Sequence, residues 1–166
     1  MTDHSPAGAA LTLALYQPDI PQNAGTMLRA CACFGISAAI IEPAGFPVSD
    51  RHFRRSGMDY LDHVDIARHV SFDAFQAWRR AAGPDGGARR LVLLTTGGDT
   101  CYTDFAFCPG DILMVGRESA GAPQHVHDSA DARITIPMRP PLRSLNVAMA
   151  AGMAIGEALR QMRGIR

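Results

Sequence analysis

Five short apolar runs, separated by stretches of helical periodicity, constrain the fold of this chain more than any other feature. They are Leu11 to Tyr16 (LTLALY), Ala38 to Glu42 (AAIIE), Leu91 to Thr95 (LVLLT), Ile112 to Gly116 (ILMVG) and Arg133 to Ile136 (RITI). Runs this short, bounded by Gly, Pro or Asp, read as buried strands rather than helices. Between them, Met27, Leu28, Cys31 and Phe34 recur at helical spacing up to Gly35, and Phe72, Phe75, Trp78 and Arg79 lie three and four apart within Ser71 to Ala82. Those aromatics read as core. A further helix is expected around Gln124 to Ser129. Strands alternating with helices at this interval predict an α/β domain with a mainly parallel sheet and helices on both faces.

In open α/β sheets ligands bind at the carboxyl ends of the strands. Three loops meet that condition: TTGG after the third run, GRESAG after the fourth and PMRPPLRS after the fifth. The last belongs to the stretch Ile134 to Gln161, in which Pro137, Pro140 and Pro141 form a turn and Ser144 is expected to open a small-residue helix over Leu145 to Met162. Arg139, Arg143, Ser144 and Asn146 then sit between a strand end and a helix N-terminus, where unpaired N–H groups and partial positive charge favour a ligand.

At 166 residues the chain has the length of one domain, expected over 11–166 behind a flexible tail at 1–10. Met1 to Ala10 lacks the basic and apolar regions of a secretion signal, and every apolar run is shorter than a membrane span. The formal net charge is zero, so any nucleic-acid contact must be a local patch. All 16 basic residues are Arg. One such patch is Arg51, Arg54 and Arg55 beside His52, Phe53 and Tyr60, where cations and aromatics interleave as RNA phosphates and bases require, although a solvated helix face explains the same pattern. Cys31, Cys33, Cys101 and Cys108 lack metal-ligand spacing; Cys31 and Cys33, two apart, face different ways on a helix. His125 and His127 read as a surface pair, so no metal is expected, and reduced thiols point to the cytoplasm. GRESAG lacks the G-x-S-x-G of a nucleophile elbow, and neither a phosphate loop nor a dinucleotide fingerprint is present.

IPQNAGTMLRACACFG, RRSGMDY, VGRESAGAP and IPMRPPLRSLNVAM, in that order across about residues 11 to 162, resemble the successive motifs of the SPOUT superfamily of trefoil-knotted methyltransferases. Within it they are most similar to the small single-domain tRNA 2′-O-methyltransferases of the TrmL (YibK-like) group. The resemblance implies a C-terminal trefoil knot threading Ile134 to Arg163 through an earlier loop, S-adenosylmethionine as cofactor, a homodimer, and methylation of the wobble ribose in the anticodon stem-loop of leucine tRNAs. It implies that Asn23, Gly25 and Arg29 form the first motif, N-x-G-x-x-x-R, with Arg29 beside the ribose hydroxyl. Gly116 and Glu118 fall in the second motif, and Ser144 and Asn146 form the S-x-N of the third. The cofactor is then expected at Leu94, Thr95, Gly116, Ile136, Met138 and Ser144, and RNA at Arg51, Arg54, Arg55 and Arg143. The chain departs from the family pattern at Ala120 and Ala122, which flank Gly121, and at Ala148 and Met149 after Asn146. A related enzyme for another tRNA or rRNA site, or a catalytically silent binding module, are the alternatives.

Overall fold

The computed structural model describes residues 10–48, 55, 58–81, 83 and 85–162; residues 1–9 of the tail expected at 1–10, and Arg51, His52, Phe53 and Arg54, lie outside them. Within the described residues the strands are β1 (Leu11–Tyr16), β2 (Ser37–Ile41), β3 (Ile66–His69), β4 (Leu91–Leu94), β5 (Thr100–Cys101), β6 (Asp111–Val115) and β7 (Ala132–Thr135). They form one sheet in the order β3-β2-β1-β6-β4-β7-β5. Every pairing is parallel.

The five expected strands are all present, shifted by no more than one residue at either end. β3 and β5 were not expected. β3 reads IARH and is only partly buried, so it lacks an apolar run, and β5 is two residues long. β1 and β6, which sit side by side at the centre, are buried along their whole length, as a parallel sheet covered on both faces requires.

Among the described residues four α-helices pack on the sheet: α1 (Pro21–Phe34), α2 (Phe72–Ala81), α3 (Gln124–Ser129) and α4 (Val147–Gln161). Because successive strand residues point to opposite faces, β1 contributes Leu11, Leu13 and Leu15 to one core and Ala14 and Tyr16 to the other. The first core is closed by Ala24, Met27, Leu28 and Cys31 of α1 and by Ala151, Ala154, Ile155, Ala158 and Leu159 of α4. The second is closed by Phe72 and Phe75 of α2 and Val126 of α3. Burial of each large side chain here is worth about 1.5–3 kcal/mol. Cys31 is fully buried and Cys33 exposed, as their spacing requires.

α1 starts at Pro21, whose fixed φ suits the first helical position, and stops at Gly35 in the left-handed region at φ 66°. α4 starts later than expected. Ser144 does not open it; Asn146 is the N-cap, its side chain accepting from the N–H groups of Ala148 and Met149. An Asn side chain able to reach those two donors is a strong cap, and it consumes helix-end N–H groups that would otherwise face a ligand. Among the described residues no helix is long and apolar enough to cross a membrane.

Candidate active site

The carboxyl ends of β4, β6 and β7 open into one cleft of about 550 Å³, a size that suits a small-molecule ligand. Leu94, Thr95 and Thr96 line it from β4, Gly116 to Glu118 and Ala120 to Ala122 from β6, and Ile136, Met138 and Arg143 to Asn146 from β7. Ile20 and Asn23, at the start of α1, and Val147 and Ala150 of α4 complete the wall. Apolar side chains therefore alternate with a few polar ones. That composition can seat an uncharged ring system while fixing its orientation.

The loop after β6 is shaped by close backbone packing. A Cβ on Gly116 would lie 2.5 Å from the Ala122 nitrogen, so only glycine permits the chain to fold back this tightly. The return is made at Gly121, φ 64°, whose N–H donates to the Arg117 carbonyl at 2.8 Å.

β1 and β6 run in register, with Leu15 opposite Val115, so the segments that follow them leave the sheet side by side. This brings Asp19 against Glu118. The Asp19 N–H donates to Glu118 Oε2 at 3.2 Å, and the Glu118 N–H donates to Asp19 Oδ1 at 3.1 Å. The Ser119 hydroxyl also donates to Asp19 Oδ2. Burial and the hydrogen bond with Asp19 hold Glu118 above the ordinary carboxylate range, and the hydrogen bond with Glu118 holds Asp19 below it.

Asn146 joins the first and third motifs: its Nδ2 donates to Asn23 Oδ1 at 3.1 Å. Of the expected site residues, Asn23, Leu94, Thr95, Gly116, Glu118, Ile136, Met138, Arg143, Ser144 and Asn146 all line the cleft. Arg29 is not among the lining residues. It lies farther along α1, exposed, with its guanidinium 4.6 Å from the centre of the Tyr60 ring. Arg55 is exposed. The described residues contain no cluster of His, Cys, Asp or Glu able to hold a metal.

Sequence reasoning missed Asp19, Ile20, Arg117 and Leu145. The signal for Asp19 was present, since it follows the carboxyl end of β1, but that loop was not grouped with the other three. Arg117 lines the cleft while its guanidinium lies 5.8 Å from the Tyr16 ring.

Residues 10–156 match the model of the SpoU rRNA Methylase family. A relative from Beijerinckia indica subsp. indica, a tRNA (cytidine(34)-2′-O)-methyltransferase, is 70% identical over 150 residues, covering 90% of this chain and 91% of the relative. A solved structure concerned with the 2-OH methylation of C/U34 on tRNA is similar at TM-score 0.85 and 41% identity, covering 95% of this chain and 99% of that one. The SpoU methyltransferase AviRb from Streptomyces viridochromogenes, solved in complex with the cofactor AdoMet, is similar at TM-score 0.87 and 28% identity, covering 95% of this chain and 62% of that one.

Proposed function

Because the chain belongs to the SpoU rRNA methylase family, we propose that it is an S-adenosylmethionine-dependent tRNA 2′-O-methyltransferase acting in the cytoplasm on the wobble ribose, cytidine or modified uridine, of leucine tRNAs. The observation that carries this reading is the convergence of all three motifs on one cleft: Asn23, Glu118, Ser144 and Asn146 line it together with the three strand-end loops. The relatives' activity toward position 34 of tRNA supports the choice of substrate.

The residues present fit the cofactor. Leu94, Ile136, Met138, Val147 and Ala150 offer apolar walls to an adenosine, and the buried Glu118 Oε1, which has no partner among the described groups, offers a polar contact. When bound, S-adenosylmethionine supplies an electrophilic sulfonium methyl group. The chain's own residues have to place a ribose hydroxyl in line with it and stabilise the oxygen as its proton leaves. Asn23 and Asn146 orient the ribose. Arg29 stabilises the developing alkoxide through its guanidinium and does not act as a base. Arg51, Arg54, Arg55 and Arg143 hold the tRNA backbone.

The trefoil knot belongs to the same proposal, with the chain from Ile134 onward threaded so that the loop after β7 closes over the cofactor. So does the homodimer. α4 exposes Met149 (60%) and Met153 (37%), and Phe34 of α1 is 46% exposed, apolar side chains that a second copy would cover, bringing one subunit's arginines to the other's cleft.

The test is incubation with labelled S-adenosylmethionine and total tRNA from a strain lacking the gene, followed by mapping of the methylated ribose. Label at position 34 of leucine tRNAs is the expected result. Label at another nucleotide would change the substrate, and no label in tRNA would overturn the reading. Light scattering of wild-type and Met149→Arg protein tests the dimer, which the substitution should dissociate.

A further inference from the structure

We propose that Asp19 is a positioning residue for the methyl transfer, clasping the segment that opens α1 to the cofactor loop after β6 by sharing one proton with Glu118 and accepting from Ser119. The inference rests on the methyl-transfer reading above. Three bonds make the clasp: the reciprocal pair between the peptide N–H groups and carboxyls of Asp19 and Glu118, and the bond from the Ser119 hydroxyl. A third segment fixes its geometry. The Gly45 N–H, in the loop after β2, donates to the Pro18 carbonyl at 2.8 Å, and a Cβ on Gly45 would lie 2.8 Å from that of Asp19. Asp19 therefore has little freedom to withdraw.

Two ionised carboxylates in such contact repel, and the cations around them, Arg117 with its buried Nε unpartnered among the described groups included, make no ion pair with either among the described residues. Arg117 is held over Tyr16, Arg29 over Tyr60, and Arg68 pairs with Glu42; Arg143 enters the cleft from the segment after β7. With a single proton between them, the Glu118 carboxyl donates to the Asp19 carboxylate and the contact becomes attractive. Loss of that proton puts two negative charges together and pushes the start of α1, with Ile20 and Asn23, away from the loop carrying Gly116 and Glu118. The cleft is lined from both sides by these residues, so the clasp sets the distance between the ribose-orienting and cofactor-holding walls. Its action is on placement: Asp19 itself does not line the cleft.

The test is a carboxyl-carbon NMR titration of the full chain without cofactor, labelled at Asp and Glu, with Glu118→Gln used to assign the resonance by its disappearance. Glu118 should titrate above the ordinary glutamate range in the wild type and move back toward it in Asp19→Asn. With S-adenosylmethionine and tRNA, Asp19→Asn should lower kcat by about ten- to a hundredfold, as misplacement of reacting groups does. Its cofactor affinity by calorimetry should stay nearly unchanged, and the alkaline limb of its pH profile should shift. A wild-type Glu118 that titrates as an ordinary glutamate overturns the proposal, whether or not the Asp19 variant folds. So does an Asp19→Asn enzyme with wild-type kcat and pH profile. A wild type that transfers no methyl removes the methyl-transfer reading and this role with it, whereas an active wild type with an ordinary Glu118 removes only the clasp.

Discussion

Asn146 Nδ2 donates to Asn23 Oδ1 across 123 positions of sequence, while the other end of the same amide, Oδ1, accepts from the Ala148 and Met149 N–H groups. One side chain thus both caps α4 and ties it to the first turn of α1. The two roles separate by substitution. Asn146→Asp keeps the acceptor that caps the helix but lacks the donor to Asn23, so thermal stability should be retained while methyl transfer falls. Asn146→Ala loses both, and should in addition unfold at lower denaturant by about 1 kcal/mol, the usual loss for a cap. Equal activity in the two variants and the wild type would show that the Asn pair plays no part in orienting substrate.

Arg29 sits on α1 outside the cleft wall, its charge over the Tyr60 ring. Removing a preorganised charge that acts only on the developing oxyanion costs about 10²–10³ in rate. Arg29→Ala should therefore lose that much in kcat in a methylation assay, with calorimetry giving a nearly unchanged cofactor affinity. Tyr60→Phe keeps the ring face and should be close to wild type; Tyr60→Ala should fall between. A loss of cofactor binding in Arg29→Ala would contradict the division of roles.

Much of this arrangement was legible in the sequence, for identifiable reasons. LTLALY and DILMV are buried on both faces, so nearly every position is apolar and the strands stand out. The three strand-end loops followed from them and do meet in one cleft. β3 escaped because its Arg68 and His69 break the apolar signal at a sheet edge, and β5 because two residues carry no period. The start of α4 was misplaced because Ser144 and Asn146 are both good caps, and only the path of the backbone decides between them. The Asp19–Glu118 contact lay out of reach for a different reason: it depends on β1 and β6 being neighbours, and sheet order is a long-range property that local pattern does not encode.

His69, at the end of β3, is buried, with rings of Phe75 and Trp78 at 5.5 and 4.9 Å and its Nε2 without a partner among the described groups. Burial lowers its pKa from the ordinary 6.5, so below that pH the unfolded chain binds a proton that the folded chain resists. Its contribution to stability is therefore complete above the unfolded value and is lost as pH falls from there toward the folded value. The urea midpoint should drop between about pH 7.5 and about pH 5.5, and the drop should be smaller in His69→Phe. Glu118, shifted upward, contributes with the opposite slope in both proteins, so the difference between them isolates the histidine. Parallel pH profiles would place His69 outside the acid sensitivity of the fold.

Gly116 offers the most direct separation of cofactor binding from folding. A Cβ there would meet the Ala122 nitrogen at 2.5 Å and the Gly121 carbonyl carbon at 2.6 Å, both backbone atoms that cannot rotate aside. The loop after β6 has to open to admit it, and that loop supplies one wall of the cleft. Overpacking of this kind costs about 1–3 kcal/mol, which a domain anchored by the fully buried β1 and β6 should survive. Gly116→Ala is thus expected to remain folded by circular dichroism, with a lowered midpoint, while S-adenosylmethionine binding by calorimetry weakens severalfold or disappears. Gly97→Ala is the matching control, because the added Cβ would meet nothing closer than the Thr95 hydroxyl at 4.0 Å. If Gly116→Ala binds the cofactor as tightly as that control, the loop after β6 does not hold it.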